Sequence, residues 1–347
     1  MTTPLTTRRL TTSARPATTL SGITPSGSLT LGNYLGALRR FVDAQRATAD
    51  TAEDVRYYFV ADLHALTTAH DPAESRRLTV ETAALFFAAG LDPGQSTVFL
   101  QSHVRAHVEL AYLLECTAYV GELSRMIQFK EKGGRPRTRA SLFTYPCLMA
   151  ADILLYDAER VPVGGDQDQH VELARELAVR FNREYGETFV VPRLSRLALA
   201  ARVCDLQDPT RKMSKSASVG APGVIRMLDD PDAISRKVTR AVTDSESEVR
   251  YDPARKPGVS NLVDIVAAIT GEQPEPVAAQ FATYSALKSA CVDAVLDALR
   301  PIQTRHVELM ADPAELTRLL AIGAERARAR AESVLSRARD AIGLVVR

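Results

Sequence analysis

The sequence contains no tryptophan, only four cysteines and only 6% aromatic residues. The cysteines lie far apart, which argues against a zinc site and a disulfide framework and fits a reducing cytosol. No apolar run approaches the ~18 residues needed to cross a bilayer. We therefore expect a cytoplasmic protein with no membrane segment. The formal net charge is +1, so any RNA contact must come from local basic patches.

Acidic residues are absent before Asp43, and residues 1–19 are rich in threonine and arginine. This composition faintly resembles an organelle transit peptide. Apolar residues are too sparse there for an amphipathic presequence, so we predict a disordered tail over residues 1–19.

The chain has 347 residues, 46% of them hydrophobic and 24% charged, which fits two or three domains of ~100–200 residues each. Apolar strand-like runs at 56–61, 97–101 and 161–163 alternate with helical patterns, which indicates a parallel sheet. After Ser216 the strand-like runs stop. We predict an α/β fold: a Rossmann-like parallel-sheet domain over 20–210, a mobile loop over 211–220, and an all-α domain over 221–347. The last helix is a candidate for packing on the first domain.

A first candidate site follows the first strand. Pro25 and Gly27 end that strand, and an apolar helical stripe then begins: Leu31, Leu35, Leu38 and Val42. Thr30 to Asn33 therefore lie at a helix N-terminus, where free N–H groups and the helix dipole favour anions. Gly32 lets a ligand approach closely. A plain strand–turn–helix with glycine for packing explains the same residues without a ligand.

A second candidate site is the run Lys212-Met213-Ser214-Lys215-Ser216, in a loop bordered by proline and glycine. Two ammonium groups three positions apart, with hydroxyls between them, can clamp phosphate oxygens. The alternative is a solvated basic loop. We call residues 211–220 the lysine loop.

A third candidate site lies in the apolar stretch 144–156, which contains one carboxylate, Asp152. A lone buried aspartate is costly unless it is hydrogen-bonded. On a helix, Tyr145, Met149 and Asp152 project to one side and form a pocket wall. An exposed aspartate at a helix edge is the alternative.

Further polar groups lie at strand ends, where open α/β sheets bind ligands. His64 follows the strand at 56–61, and Gly164, Gly165, Asp166 and Gln167 follow the one at 161–163. The glycine amides and Asp166 could meet a ribose or a phosphate. His103 and His107 are four apart, but no third metal ligand is evident, so we predict solvated or capping histidines. The basic loop 125–139 could meet phosphates or simply be solvated.

Together these motifs resemble bacterial tryptophanyl-tRNA synthetases, which are class I aminoacyl-tRNA synthetases, from about Ser21 to the C-terminal helix. The matching segments are Ser21–Ile23, Pro25–Gly27, Thr30–Tyr34, Gln128–Lys132, Thr144–Pro146, Leu148–Tyr156, Asp166–Gln167 and Lys212–Ser216. The lysine loop corresponds to the signature loop of class I enzymes. Residues 1–19 lie outside the resemblance.

The resemblance implies roles for these residues. The implied ATP site consists of Thr24, Thr30, Gly32, Asn33, Gly164, Asp166, Gln167, Lys212, Met213, Ser214, Lys215 and Ser216. The implied catalytic groups are Lys212, Lys215, Lys132, Thr30 and Asn33, with Lys130 also near the triphosphate. The implied tryptophan site consists of His64, Tyr145, Met149, Asp152 and Gln167, with Asp152 accepting the indole N–H. ATP and Mg²⁺ are the implied cofactors, L-tryptophan and tRNA(Trp) the implied partners, and a homodimer the implied assembly.

One position departs from the family pattern. Thr24 stands where the family usually has glutamine, near the amino-acid and nucleotide sites. We expect this change to alter the affinity for substrate or for indole-based inhibitors without abolishing activity. Comparison of Thr24→Gln with the parent protein tests this, and unchanged constants would contradict it.

Three alternatives to a tryptophan enzyme remain open. A tyrosyl-tRNA synthetase shares the fold and the lysine loop, but the Thr30–Asn33 and Met149–Asp152 patterns disfavour it. A catalytically silent paralogue would be expected to lose one of the two phosphate-binding motifs, Thr30–Asn33 and Lys212–Ser216. Both motifs are intact in this sequence. An unrelated nucleotidyltransferase leaves the helical half unexplained.

Overall fold

The structure is a computed structural model that describes residues 18–47, 55–134, 136–162, 167–195 and 202–345. The side chains of Lys132, Pro162 and Ser195 also fall outside that description. The predicted tail therefore lies almost wholly outside the described residues. Thr18 and Thr19, which we assigned to it, pair in the sheet with Val55 and Arg56.

The described strands form one parallel sheet in the order β3-β2-β1-β4-β5. They are β1 Thr18–Ile23, β2 Val55–Val60, β3 Thr97–Leu100, β4 Arg160–Pro162 and β5 Arg193–Ser195. In β2 every residue after Val55 is buried, as expected for a strand covered on both faces. The predicted Rossmann-like α/β fold is confirmed.

The strand order reverses between β1 and β4, which are neighbours although most of the domain separates them in sequence. Parallel α/β sheets bind ligands at the carboxyl ends of strands at such a reversal. Thr24, which follows β1, lies at this edge, and β4 ends there at Pro162.

The helices of the first half cover both faces of the sheet. They are α1 Leu31–Asn33, α2 Arg39–Ala47, α3 Asp62–Ala65, α4 Pro72–Ala88, α5 Ala106–Glu115, α6 Val120–Leu123, α7 Ile127–Lys132, α8 Ser141–Leu154 and α9 Asp168–Tyr185. A π-helical turn, Tyr34–Leu38, joins α1 to α2, and a 3₁₀ turn, Gln101–His103, follows β3. None of the described helices is long and apolar enough to cross a membrane.

Helices are the regular elements of the described second half, which also contains long irregular segments over 202–230 and 240–256. It contains α10 Pro231–Thr239, α11 Pro257–Thr270, α12 Pro274–Ala279, α13 Tyr284–Ala311 and α14 Pro313–Ile342. One hydrophobic cluster joins α10–α13 to α1, α2 and α4, so the two halves share a core.

Helix α14 returns to the sheet and completes a second hydrophobic cluster with α5, α8 and α9. A Cβ on Gly323 would lie 1.8 Å from the Val98 carbonyl oxygen in β3, so only glycine allows this approach. Arg330 and Arg337 donate to Asp157 at 2.6 and 2.8 Å. The last helix is therefore held to the sheet by close packing and by ion pairs.

Candidate active site

Thr30 and Asn33 form a reciprocal cap at the start of α1. The Asn33 N–H donates to Thr30 Oγ1 at 3.3 Å, and the Thr30 N–H donates to Asn33 Oδ1 at 3.0 Å. This is the helix start that the sequence predicts. Thr30 is 0% exposed, and its hydroxyl also donates to Asn33 Oδ1 at 3.1 Å. The Asn33 Nδ2 takes no part in these bonds, so it is the group of this turn available to a ligand.

The lysine loop begins on a short hairpin. Cys204 and Lys212 form an antiparallel bridge, and the Met213 N–H donates to the Val203 carbonyl at 3.1 Å. Met213 is buried against the first motif, since a Cβ on Gly32 would lie 3.6 Å from its Cβ. Met213 therefore anchors the loop while Lys212 stays exposed.

The hairpin is also held by α11. The Cys204 N–H donates to Asn261 Oδ1 at 2.8 Å, and Asn261 Nδ2 donates to the Cys204 carbonyl at 3.1 Å. Asn261 thus pairs with the backbone as a neighbouring strand would. The helical half supports the loop at the point where the loop starts.

The lysine loop meets the first motif directly. Lys215 Nζ donates to the Thr24 carbonyl at 2.6 Å across 191 positions of sequence. A Cβ on Gly27 would lie 2.6 Å from the Lys215 carbonyl oxygen. Burial lowers the pKa of Lys215 to about 8, and the nearby Lys212 ammonium adds to this decrease. Two motifs that each favour phosphate therefore form one cationic corner beside the end of β1. Within this corner, the hydroxyls of Ser214 and Ser216 lie 2.8 Å apart.

Asp152 is buried, with 2% of its surface exposed, and the predicted exposed alternative is excluded. Its Oδ1 accepts from Gln101 Nε2 at 2.7 Å and from His107 Nδ1 at 2.6 Å, and its Oδ2 accepts from His64 Nε2 at 2.8 Å. Burial by itself raises the pKa of Asp152, but the hydrogen bonds from His107 and His64 outweigh it and hold the pKa below its usual range. Asp152 is therefore an ionised acceptor.

Tyr145 lies beside this carboxylate on the same helix, α8. Its ring meets the His64 ring edge to face at 6.1 Å, and its hydroxyl is hydrogen-bonded to His170 Nε2. Burial raises the pKa of Tyr145 to about 12, so the phenol keeps its proton. Met149 is partly buried, between Tyr145 and Asp152 in sequence. The structure thus joins His64, Tyr145 and Asp152 through direct contacts.

Other predicted residues are defined less completely. Gln167 precedes α9 and is half-buried, whereas Gly164 and Asp166 lie outside the described residues, as does the side chain of Lys132. Lys130 is exposed on α7. The α7 helix is tied to the start of α9, because the Ile127 N–H donates to Gln169 Oε1 at 3.0 Å.

Sequence reasoning missed three residues around Asp152: Gln101, His107 and Tyr156. The prediction that His107 is solvated or a cap is wrong, because His107 is fully buried between Asp152 and Tyr156. His103 is exposed, as predicted. Gln101 follows β3 directly, at the ligand-binding edge of the sheet, and this position was a usable signal. No three His, Cys, Asp or Glu side chains group as metal ligands in the described ranges.

Comparisons with known proteins agree with this geometry. Residues 12–302 match the family described as tRNA synthetases class I (W and Y). Tryptophan–tRNA ligase 1 of Streptomyces avermitilis is 53% identical over 330 residues, which cover 94% of this chain and 98% of that protein.

Two solved structures are also similar. Tryptophanyl-tRNA synthetase from Mycoplasma pneumoniae has a TM-score of 0.85 and 34% identity, covering 95% of this chain and 98% of its own. The Campylobacter jejuni tryptophanyl-tRNA synthetase, complexed with ADP and tryptophan, has a TM-score of 0.79 and 31% identity, covering 94% of this chain and all of its own.

Proposed function

The chain belongs to the class I tRNA synthetases of the tryptophan and tyrosine group, and from this membership we infer that it is a tryptophan–tRNA ligase. It joins L-tryptophan to ATP to form tryptophanyl-adenylate and pyrophosphate. It then transfers the tryptophanyl group to the 3′-terminal adenosine of tRNA(Trp). The observation that carries this function is the contact between Lys215 and Thr24, which brings two phosphate-binding motifs to one corner of the sheet.

The first reaction needs no nucleophile from the protein. The substrate carboxylate is already ionised and attacks the α-phosphorus, while pyrophosphate leaves with its electron pair. Catalysis then consists of positioning and of stabilising the charge on the phosphate oxygens. The phosphate oxygens receive positive charge on one side from the ammonium groups of Lys212 and Lys215. On the other side they receive a hydrogen bond from Asn33 Nδ2. ATP arrives as its Mg²⁺ complex, with the metal ion carried by the phosphate oxygens.

Lys215 Nζ donates to the Thr24 carbonyl at 2.6 Å, and we propose that it turns to the β- and γ-phosphates when ATP binds. A full negative charge is a stronger acceptor than a carbonyl dipole. We assign Thr30 a different role from that of Lys215: its buried hydroxyl orients Asn33 and does not itself reach the phosphates.

Recognition of tryptophan depends on Asp152. Among the described residues, His64 is the one donor to its Oδ2, which retains capacity for the indole N–H. Phenylalanine leaves this acceptor without a substrate partner and also fills less of the pocket than an indole, and together such mismatches discriminate by ~10⁴–10⁵. Tyrosine carries a hydroxyl that could donate, so the depth of the pocket beside Tyr145 and Met149 excludes it.

Tryptophan-dependent exchange of label between pyrophosphate and ATP tests this function, with tyrosine as the control amino acid. We expect exchange with tryptophan and only background with tyrosine. Exchange that depends on tyrosine would identify a tyrosyl enzyme. Absence of exchange with either amino acid would identify a silent paralogue.

We propose a homodimer that acts in the cytoplasm, with residues 221–347 contacting the anticodon of tRNA(Trp). Large apolar side chains are exposed along α5–α7: Val108, Tyr112, Tyr119, Val120 and Ile127. Exposure of 65% at Tyr112 and 73% at Val120 favours burial against a second copy. Light scattering should give a molar mass of twice the 37.8 kDa chain mass. The Tyr112→Glu variant should have a lower molar mass, close to that of a single chain. A monomeric parent protein would contradict the dimer.

A further inference from the structure

The two oxygens of Asp152 have different surroundings. Oδ1 accepts from Gln101 and His107, both of them fully buried. Oδ2 accepts from His64, whose side chain is 13% exposed. Within the part of the chain that the structure describes, two donors occupy Oδ1 and one donor occupies Oδ2, so Oδ2 keeps capacity for a further donor.

A chain of hydrogen bonds continues behind Oδ1. His107 Nε2 lies 2.8 Å from the Tyr156 hydroxyl. Burial raises the pKa of Tyr156 well above its usual value, so this phenol keeps its proton. In the neutral imidazole, the His107 Nδ1–H donates to Asp152 and Nε2 therefore accepts from the Tyr156 O–H. Each bond polarises the next in the direction of the carboxylate.

Aromatic rings enclose this chain. The rings of Phe59 and Phe99 lie 6.1 and 6.0 Å from the His107 ring, and the Tyr57 ring lies 4.4 Å from the Tyr156 ring. The imidazole cannot rotate without displacing them, so the direction of its Nδ1–H is fixed.

We propose that His107 and Tyr156 are positioning residues for recognition of the indole N–H. They hold the Asp152 carboxylate ionised and in one orientation, so that Oδ2 alone is presented to the substrate. This inference rests on the proposed function, in which Asp152 accepts the indole N–H. A buried carboxylate with fewer donors is less stable as an anion and freer to turn, and it then binds a substrate N–H near Oδ2 less strongly.

The experiment compares L-tryptophan with β-(benzothiophen-3-yl)-L-alanine, in which sulfur replaces the indole N–H. The readout is the ratio of their kcat/KM values in ATP–pyrophosphate exchange. In the parent protein we expect this ratio to be about 10- to 100-fold in favour of tryptophan, the value of one hydrogen bond to a charged acceptor. A merely structural role of a residue changes both kcat/KM values together and leaves the ratio unchanged.

Four variants then distinguish a role in positioning Asp152 from a merely structural role. His107→Leu should bring the ratio close to one, whereas His107→Asn, which keeps an amide donor at the place of Nδ1, should restore most of it. Tyr156→Phe should lower the ratio by a smaller factor of about three to ten. Tyr57→Phe is the matched control, because it removes a hydroxyl from the same aromatic cluster and should leave the ratio unchanged.

The outcomes are distinguishable. A parent protein that uses both amino acids equally well would overturn the assignment of Asp152 itself. A parent preference that survives in His107→Leu would overturn only the positioning role. If His107→Leu does not fold, Tyr156→Phe decides, and a ratio equal to that of Tyr57→Phe would overturn the proposal.

Discussion

The charge of Lys215 depends on its surroundings, and this makes activity depend on pH. Because burial lowers the pKa of Lys215 to about 8, the free enzyme loses this ammonium as the pH rises above that value. We expect kcat/KM for ATP to fall by about tenfold per pH unit on the alkaline side, since this constant reports groups of the free enzyme. The measurement is ATP–pyrophosphate exchange from pH 7 to pH 10.

The control for this profile is a guanidinium, which stays charged over the whole range. Lys215→Arg should remove the alkaline decline, even if its absolute activity is lower. Lys212→Arg should retain the decline, because Lys215 is unchanged. A parent profile that is flat to pH 10 would contradict the assignment.

Asp152 also contributes to stability. Asp152→Ala leaves the buried donors Gln101 and His107 without their acceptor, so we expect the free energy of unfolding to fall by about 3 kcal/mol or more. Urea denaturation measures this change. Asp43→Ala removes an exposed ion pair of 3.8 Å and should cost no more than about 0.5 kcal/mol. Equal losses in the two variants would show that the network carries little stability.

Single residues differed in how far the sequence could predict them. Asp152 could be proposed as a site residue because it is the one carboxylate in an apolar stretch. Lys212 to Ser216 could be proposed because two lysines and two serines lie within five consecutive residues. Gln101 and His107 meet Asp152 across 51 and 45 positions of sequence. The position of Gln101 directly after a strand marks it as a possible site residue, but no local pattern shows that either residue contacts Asp152. The partner of Lys215 is a backbone carbonyl, which every residue possesses and no sequence pattern marks.

At the level of elements, α11 and the lysine loop depend on each other through Asn261. Asn261→Ala leaves the N–H and the carbonyl of Cys204 without partners, so we expect a loss of about 1–3 kcal/mol in the free energy of unfolding. The loop also loses its support, and KM for ATP should rise by about three- to tenfold. Urea denaturation and exchange kinetics measure the two effects.

Ser260→Ala is the matched control for this variant. Ser260 is buried on the same helix and accepts from the Asp252 N–H at 2.9 Å, in a different loop. Ser260→Ala should lower the free energy of unfolding by an amount similar to that of Asn261→Ala and leave KM for ATP unchanged. If both variants raise KM equally, the effect of Asn261 is general destabilisation and not loop support.

Elements with a strong local signal were predicted well. The helical pattern between the strand-like runs at 56–61 and 97–101 corresponds to α4, which Asp71 caps and which ends before Gly90 at a φ of 111°. The stripe from Leu31 to Val42 is buried as predicted. The π-helical turn at Tyr34–Leu38 was not predicted, because one wider turn leaves the apolar spacing almost unchanged.

At the scale of the whole molecule, the two halves are joined where α14 approaches the sheet, and a substitution at Gly323 tests this contact. Gly323→Ala places a methyl group against the Val98 carbonyl, so the helix must shift, and we expect a loss of about 1–3 kcal/mol in stability. Thermal or urea unfolding measures this loss. Glu325→Ala, at an exposed position of the same helix, should change stability by less than about 0.5 kcal/mol. A Gly323 variant as stable as the parent would contradict the tight packing.

The parallel sheet followed from the alternation of strand and helix patterns, and the helical second half from the end of strand-like runs. The last helix was a candidate for packing on the first domain, but its contacts could not be predicted, because they depend on glycine at one position and on Arg330 and Arg337 reaching Asp157. A periodic Ala/Arg/Glu helix has the same appearance whether it is solvated or docked.

The position of α14 has a consequence for biosynthesis. Ala324, Ala327, Ala331, Val334, Leu335 and Ala338 belong to the same hydrophobic cluster as the early strands. The nucleotide-binding half therefore cannot bury its full interior until the ribosome has released a segment made more than 220 positions after the early strands. Until then the nascent chain exposes the apolar surface that α14 later covers, and chaperones bind surfaces of this kind.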